Sequence, residues 1–396
     1  MLKKNSYKLD GLVLSVLLVV FISSLIIFDL EGNVIFSNLS NVLLWSFFLL
    51  STFIRREKSS GQNQIFNTYL IFAIFSLLSV LWAYDVNLVL DYSTRIIVIL
   101  INLYVLFILL SKYNLTDSIL IGVIIGSFYN YLISLNFIVP NYEIYEFGRF
   151  IGSVGNPNKL SKIMTISIFS SIMLLITKER IFIFKWGLIL NVFLALFVIF
   201  MTASKQAIIL APILILFSIN YGKGIIKNIL LIAVLIIGLY KVATDFLPNV
   251  EFLEIFKKFE YRIVSFYETI YGTNSGASTS EREYLLFRGI EIFSERPIFG
   301  AGMNNFRFFE LKYAHNNYIE LLVGVGLIGT IIFYRLYFVV IKKIIKMRAL
   351  KIKSILYTMV LVLLLMDLIT VTYTDKLLMF ILLYIYVIAN NHKKIA

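Results

Sequence analysis

The sequence predicts an all-α polytopic membrane protein with about twelve transmembrane helices. Hydrophobic residues form 60% of the 396-residue chain and charged residues only 15%, against about 45–50% and about 25% in soluble domains. The mean hydropathy is +0.88. The apolar runs are continuous rather than alternating, which favours helices over barrel strands because a helix satisfies its own backbone hydrogen bonds in lipid. Lys and Arg concentrate in alternate connecting segments, which supports the same class.

Each predicted span is a mainly apolar run close to the length that a bilayer requires. The spans lie near residues 11–29, 34–54, 65–83, 95–111, 118–139, 160–177, 181–202, 206–220, 225–246, 317–341, 354–372 and 376–390. The first run is longer than the hydrophobic region of a signal peptide, so we interpret it as a retained span. Pro212 interrupts the short eighth run, which makes that span the weakest prediction.

The basic residues set the predicted orientation. With the N-terminus in the cytoplasm, more than half of the Lys and Arg residues fall in cytoplasmic segments, and most acidic residues fall elsewhere. We therefore expect both termini to be cytoplasmic. Residues 1–246 then hold transmembrane helices 1–9, residues 247–316 form one large extracytoplasmic loop with short helices, and residues 317–396 hold helices 10–12 and a short tail. The net charge of +13 reports this topology, whereas nucleic-acid binding would require basic residues on one soluble face.

The composition also limits the available chemistry. The absence of cysteine excludes disulfides, thiolate nucleophiles and cysteine-ligated zinc or iron–sulfur sites. His315 and His392 are the only histidines, which leaves little for a histidine-rich metal site. His392 lies in the polar tail, and we assign it no catalytic role. We expect no cofactor and no metal.

Two outer segments, residues 140–159 and 247–316, are too long and too polar to be simple connectors, and only the second is large enough to fold on its own. Ser280 is predicted to cap a helix over 281–294. Gly300 and Gly302 then predict a tight turn with positive φ. Long loops with internal structure are more often functional than accidental, so we place the candidate site here.

Three blocks of sequence carry a family resemblance. They are Arg149-Phe-Ile-Gly-Ser-Val-Gly-Asn-Pro-Asn158, Thr202-Ala-Ser-Lys-Gln206, and a longer block with Arg282, Pro297-Ile-Phe-Gly-Ala-Gly302, Ala314-His-Asn-Asn-Tyr318 and Gly324-Val-Gly-Leu-Ile-Gly329. In this order and spacing the chain resembles the O-antigen ligase and Wzy-type O-antigen polymerase superfamily. The second block departs from the family pattern, because family members usually carry Ser-Arg where this chain has Ser204-Lys205.

The resemblance implies an integral bacterial cell-membrane enzyme with a metal-independent, GT-C-like glycosyltransferase fold. Such an enzyme transfers glycan from a polyprenyl-diphosphate carrier on the outer face of the membrane, for O-antigen, capsular or exopolysaccharide synthesis. The implied partners are the lipid bilayer and an undecaprenyl-diphosphate-linked oligosaccharide, with a flippase and a chain-length regulator as further proteins. No nucleic acid is expected.

The chemistry of that reaction suggests roles for polar residues on the outer side. His315 is the candidate base, because a neutral imidazole can accept a proton from a sugar hydroxyl. Arg282 is the second catalytic candidate, because a departing diphosphate needs a cation beside it. The predicted diphosphate-binding residues are Arg149, Lys205 and Arg288. Lys205 keeps the charge of an arginine but not its bidentate fork, and Arg288 lies on a different helical face from Arg282.

Supporting roles fall to Asn316 and to the glycines. Asn316 is expected to cap the tenth helix or to orient the imidazole, with capping preferred. Gly300 and Gly302 could offer backbone N–H groups to a phosphate. Three glycines further along are predicted to permit close helix packing: Gly324, Gly326 and Gly329.

Two acidic residues near the spans need an explanation, because charges in a membrane are costly unless paired. Asp367 is predicted to pair with Lys241 or Arg335 and to hold the helices together. Glu320 follows His315 by five residues, a poor fit to a shared helical face, so a catalytic role for it stays open.

Three functions remain in competition on this sequence. The preferred one is a polymerase that joins lipid-linked repeat units by direct displacement, which inverts the anomeric centre. A ligase that moves finished glycan to another acceptor would share the fold and the donor. A flippase is disfavoured because transporters usually show repeated halves with interrupted helices, and here the polar residues concentrate in one loop.

Overall fold

The computed structural model describes residues 2–28, 34–54, 63–146, 148–177, 181–219 and 277–391. In chain order its helices and strands are α1 (Leu2–Ile27), α2 (Val34–Ile54), α3 (Gln64–Leu78), α4 (Val86–Lys112), α5 (Thr116–Ser134), β1 (Tyr145–Glu146), β2 (Arg149–Phe150), α6 (Pro157–Thr177), α7 (Phe182–Thr202), α8 (Lys205–Ile219), α9 (Ala277–Glu295), α10 (Phe306–Glu310), α11 (Asn317–Ile345), α12 (Leu350–Asp367) and α13 (Lys376–Asn391). Short 3-10 turns occupy Ser79–Leu81 and Gly152–Val154. The strands β1 and β2 form one antiparallel hairpin.

The helices confirm an all-α polytopic membrane architecture. Eleven of the twelve predicted spans coincide with helices, and the ninth, 225–246, lies outside the described residues. Six helical segments of the described chain are long and apolar enough to cross a membrane. They are Gln64–Leu81, Val86–Lys112, Thr116–Ser134, Pro157–Thr177, Phe182–Thr202 and Asn317–Ile345, and three shorter apolar helices are Gly11–Ile27, Lys205–Ser218 and Lys376–Asn391. Pro212 lies inside α8 without ending it.

The chain divides into two compact units, each assembled from separate segments. The first unit comprises Met1–Arg56, Leu115–Thr273 and Leu350–Met359. The second comprises Glu57–Asn114, Asn274–Ala349 and Val360–Ala396.

Small residues let two helices of the first unit approach closely. On α5, a Cβ built at Gly122 would lie 2.7 Å from the Cβ of Ile22, and one at Gly126 would lie 2.9 Å from the Cβ of Ile26. Glycine therefore allows α1 and α5 to pack backbone to backbone, as small residues do in membrane helix pairs.

Polar side chains link α5, α6 and α7 inside the same unit. The Asn191 amide donates to Ser171 Oγ at 2.8 Å and to Ser167 Oγ at 3.0 Å. The Tyr131 hydroxyl donates to Asn191 Oδ1 at 3.0 Å. Interhelical hydrogen bonds of this kind stabilise bundles in an apolar solvent.

The second unit packs α11 against α3, α9 and α13. A small apolar core joins the face of α9 to the start of α11 and consists of Leu285, Ile292, Ala301, Phe306, Ala314, Ile319 and Val323. Gly289 brings α9 close to α11, because a Cβ at that position would overlap the side chain of Ile319. This contact places the loop helix α9 beside the segment that carries the candidate site.

One detail of the predicted loop changes. The helix predicted over 281–294 begins at Ala277, so Ser280 lies within its first turns instead of capping it. The small polar residues from 277 onward adopt helix despite their turn-forming composition. The predicted ion-pair partner Lys241 and the tail residue His392 lie outside the described residues.

Candidate functional site

Helix α11 is broken at Gly326, and a turn-containing segment of the preceding loop occupies the break. Gly326 has φ 65° and ψ −169°, values far from helical. The inserted segment is residues 297–302, which we call the strap. Four backbone hydrogen bonds join the strap to both sides of the break: Ala301 N to Val323 O at 2.7 Å, Gly302 N to Gly324 O at 2.9 Å, Leu327 N to Pro297 O at 2.9 Å and Ile328 N to Ile298 O at 3.3 Å. The strap thus satisfies backbone groups that the break would otherwise leave unpaired.

The glycines of this region are required by the close approach of two backbones. Gly300 and Gly302 have φ of 74° and 106°, which confirms the predicted positive-φ turn. A Cβ at Gly326 would lie 2.6 Å from Gly300 N. The prediction that Gly326 serves ordinary helix packing is wrong, because it marks a break in the helix.

The same hydrogen bonds overturn the suggested phosphate cradle at the glycine turn. Gly300 N donates to Arg296 O at 3.0 Å, and Gly302 N donates to Gly324 O. These N–H groups are already used within the protein, so Gly300 and Gly302 shape the strap instead of offering donors to an anion.

His315 lies directly before α11 in a constrained backbone conformation. Its φ is 53°, in the left-handed region that non-glycine residues rarely adopt. Its imidazole centroid lies 4.0 Å from the ring of Tyr313. Asn316 Oδ1 accepts hydrogen bonds from Tyr318 N at 2.9 Å and Ile319 N at 3.2 Å, which confirms Asn316 as the cap of the helix.

The imidazole of His315 is neutral at pH 7. Its partial burial lowers the pKa to about 4, and the positive charges of Arg282 and then Lys312 add to that effect, against an opposing contribution from Glu281. The structure therefore brings His315 and Arg282 into one electrostatic cluster. A neutral imidazole can act as a proton acceptor.

A buried carboxylate lies behind the histidine. Glu320 is only 2% exposed, and its Oε2 accepts a hydrogen bond from Ala314 N at 2.7 Å. Its Oε1 is buried without a hydrogen-bond partner. Residues 314 and 315 precede α11 and turn back toward it. The contact with Glu320 therefore does not require His315 and Glu320 to share a helical face. Glu320 thus fixes the peptide that leads into His315.

Asp367 is held by neutral polar groups. Its Oδ2 accepts from the Tyr334 hydroxyl at 3.0 Å and lies 3.5 Å from the Asn317 amide nitrogen, and its Oδ1 accepts from the Thr372 hydroxyl. The predicted pairing with Arg335 is not among the ion pairs of the described residues. Hydroxyl and amide donors thus contribute to the stabilisation of this carboxylate, and its predicted pairing with Lys241 stays a prediction because Lys241 lies outside the described residues.

The second unit also holds an arginine that sequence reasoning missed. The Cζ of Arg307, on α10, lies 5.4 Å from the ring centroid of Tyr92 and 5.6 Å from that of Tyr313. Tyr313 therefore lies between this guanidinium and the imidazole of His315. In the sequence, the feature that could have indicated Arg307 is its position between two aromatic residues, Phe306 and Phe308.

Arg288 is engaged with carboxylates. Its Nη1 lies 2.7 Å from Glu291 Oε2, and its Nε lies 2.9 Å from Glu310 Oε1. These hydrogen bonds raise its pKa. A diphosphate bound here would have to displace two carboxylates, although the predicted binding role itself stays a prediction. Lys312 is similarly paired with Glu281.

In the first unit, the two remaining sequence blocks come together. Arg149 Nε donates to Thr202 O at 2.9 Å, and its Nη2 donates to Asn158 Oδ1 at 3.1 Å. Ser204 Oγ also donates to Asn158 Oδ1, at 3.1 Å. Lys205 is the first residue of α8 and follows these contacts directly. Arg149 therefore binds the last carbonyl of α7 and joins the two blocks.

The described residues define a multi-pass helical membrane protein with a neutral imidazole beside arginine side chains. In these residues, no group of three or more His, Asp or Glu side chains comes together in a way that could hold a metal ion.

Residues 190–334 match the family model described as O-antigen ligase. This match confirms the resemblance to the O-antigen ligase and Wzy superfamily and supports membrane glycan processing of the ligase or polymerase type. The match includes Lys205, Arg282 and His315, while Arg149 precedes it. No curated protein matches the chain.

Proposed function

We propose that the protein is a membrane glycosyltransferase that polymerises polyprenyl-diphosphate-linked oligosaccharide repeat units on the outer face of the bacterial cytoplasmic membrane. The observation that carries the proposal is the neutral imidazole of His315 in electrostatic contact with Arg282. Glycosyl transfer from a diphosphate donor needs a proton acceptor for the attacking hydroxyl and a cation for the leaving group.

In the proposed reaction, a hydroxyl of an incoming unit attacks the anomeric carbon of the growing chain. A new carbon–oxygen bond forms, the bond from the anomeric carbon to the diphosphate breaks with its electron pair, and the hydroxyl proton moves to His315. Direct displacement inverts the anomeric centre. Arg282 stabilises the negative charge of the departing undecaprenyl diphosphate.

A pKa of about 4 makes His315 a weak base in the protein without substrate. A bound diphosphate would raise that pKa, because a nearby negative charge favours imidazolium. Donor binding would thus strengthen the base when the acceptor hydroxyl must lose its proton. Until the donor arrives, the residue stays neutral and ready to accept.

Several finer features belong to the same proposal. Arg149 and Lys205 are proposed as further diphosphate-binding residues, supported by the contacts that join their two blocks. The family resemblance supports a GT-C-like fold, catalysis without a metal, and a flippase and chain-length regulator as partners. The distribution of basic residues supports cytoplasmic termini.

Ligase activity is the second candidate, because the matched family is described as O-antigen ligase. Cells that lack the protein would receive His315→Ala or Arg282→Ala, with His392→Ala as the control and immunoblotting to confirm equal membrane levels. Accumulation of single repeat units on the outer leaflet supports the polymerase. Long carrier-linked chains that never reach an acceptor support the ligase, and units confined to the inner leaflet support transport. Normal polymer in both variants contradicts the proposal.

A further inference from the structure

Among the basic residues around the His315 cluster, Arg307 differs in its partners. Arg95 is paired with Asp91, and Arg288 and Lys312 are paired with glutamates. No carboxylate of the described chain lies within salt-bridge distance of Arg307, and its Nε is buried without a hydrogen-bond partner. Arg307 as a whole is half-buried, and among the five N–H donors of a guanidinium an unpaired one is costly where, as at Nε, it is buried.

The guanidinium is nevertheless held in place. It lies within cation–π distance of Tyr92 on α4 and of Tyr313. Its backbone belongs to α10, whose first residue, Phe306, is fully buried in the apolar core beneath the loop. The side chain is therefore oriented by aromatic rings, which leave its hydrogen-bond donors uncommitted.

Tyr313 is the common neighbour of the groups that the reaction needs. Its ring contacts the imidazole of His315. Burial raises the pKa of its hydroxyl, while the positive charges of Arg282 and Arg307 both act to lower it. Both arginines therefore act electrostatically on Tyr313, the residue whose ring contacts the imidazole of His315.

One negative group of the protein also faces Arg307. Glu320 interacts with it electrostatically, but the Oε2 of Glu320 is engaged with Ala314 N. A single buried carboxylate at more than salt-bridge distance does not satisfy the donors of Arg307. An anion with several oxygens would do so.

We propose that Arg307, and not Arg288, is the partner of Arg282 in binding the diphosphate of the lipid-linked donor. The inference rests on the proposed function and assigns one of its binding residues. Arg307 donates to phosphate oxygens from a position fixed by Tyr92 and Tyr313, and Arg282 donates from α9. The carboxylates around Arg288 exclude that residue from the same task.

The test measures binding of radiolabelled undecaprenyl diphosphate to the full-length protein in nanodiscs of zwitterionic lipid. Arg307→Gln is expected to weaken binding about ten- to a hundred-fold, as expected for loss of charge-assisted hydrogen bonds. Arg307→Lys should show an intermediate loss, because it keeps the charge without the planar fork. Arg288→Gln tests the competing assignment and should change the affinity by less than about threefold, and Arg95→Gln, which removes an arginine already paired with Asp91, is the matched control.

Unchanged affinity in Arg307→Gln overturns the inference, as does an equal loss in Arg288→Gln. Thermal unfolding of each variant separates a binding defect from misfolding, and Arg307→Lys supplies a second, milder variant. If the wild-type protein does not bind the lipid diphosphate at all, the proposed function fails. If the wild type binds and Arg307→Gln binds equally well, only the assignment of Arg307 fails.

Discussion

Replacement of Gly326 by alanine tests whether the strap and the helix break form one structural element. The substitution adds a single methyl group at a backbone conformation that non-glycine residues avoid. The new Cβ would overlap the carbonyl of Ile298 and lie 2.6 Å from Gly300 N. Both neighbours are backbone atoms, so no side chain can rotate away to make room.

The expected magnitude follows from the two ways in which the chain could respond. If the strap stays in place, the strained backbone costs on the order of 1–3 kcal/mol, and the overlap adds to that cost. If the strap moves away, the four hydrogen bonds across the break are lost, at about 0.5–1.5 kcal/mol each. Either response predicts a destabilisation of at least about 2 kcal/mol, together with loss of polymer.

The assay is thermal unfolding of the purified full-length protein in detergent, followed by complementation of polymer synthesis. Gly187→Ala is the matched control, because no atom lies within 4 Å of its added Cβ and it lies inside α7. That control should be neutral or stabilised by up to about 1 kcal/mol. If Gly326→Ala unfolds at the same temperature as Gly187→Ala and still supports polymer synthesis, the strap is not the element that we describe.

Three further predictions concern the histidine and its support. Glu320→Leu leaves the buried N–H of Ala314 unpaired and should lower the free energy of unfolding by about 1–3 kcal/mol. Glu320→Gln keeps an acceptor and should unfold closer to wild type. Equal losses of stability in the two variants would contradict the positioning role. In a His392→Ala background, modification of His315 by diethyl pyrocarbonate should be half-maximal near pH 4. Arg282→Gln should move this midpoint to higher pH. A midpoint near the ordinary value of about 6.5 without the Arg282 substitution would contradict the cause assigned to the shift. Because the unfolded chain binds this proton near pH 6.5 and the folded chain near pH 4, the contribution of His315 to stability should fall as the pH is lowered through that window.

The helices were largely predictable because their signal is local. A continuous apolar run specifies a helix in lipid whatever lies around it, and Asn316 caps α11 through its own side chain. The start of α9 was mispredicted because residues 277–280 are turn formers by composition. A predicted span qualifies as a membrane-crossing helix only where the folded helix is both long enough and apolar enough. Six segments of the described chain meet both conditions.

The contacts of the site were less predictable because they join residues that are distant in sequence. The apolar run 317–345 reads as one uninterrupted helix, and only its partner, the strap, shows that Gly326 breaks it. Arg288 and Arg307 are the same residue type in the sequence. In the structure, Glu291 and Glu310 lie beside Arg288, whereas tyrosines lie beside Arg307. The partners of each side chain, rather than the residue type, show whether an arginine is already engaged by carboxylates.

The strap and the buried glutamate have a joint consequence for catalysis. The segment that carries Arg307 and His315 is tied to α11 at both ends. At its start, the strap bonds to residues on both sides of the helix break. At its end, Glu320 holds Ala314 N, and Asn316 caps the helix.

Both attachments are to α11, so the backbone positions of Arg307 and His315 are held before any donor binds. Electrostatic stabilisation of a leaving group is most effective when the stabilising charges need not reorganise during the reaction. The break in α11 therefore serves the site by accepting the strap, and the left-handed backbone of His315 is the local strain that this double attachment can sustain.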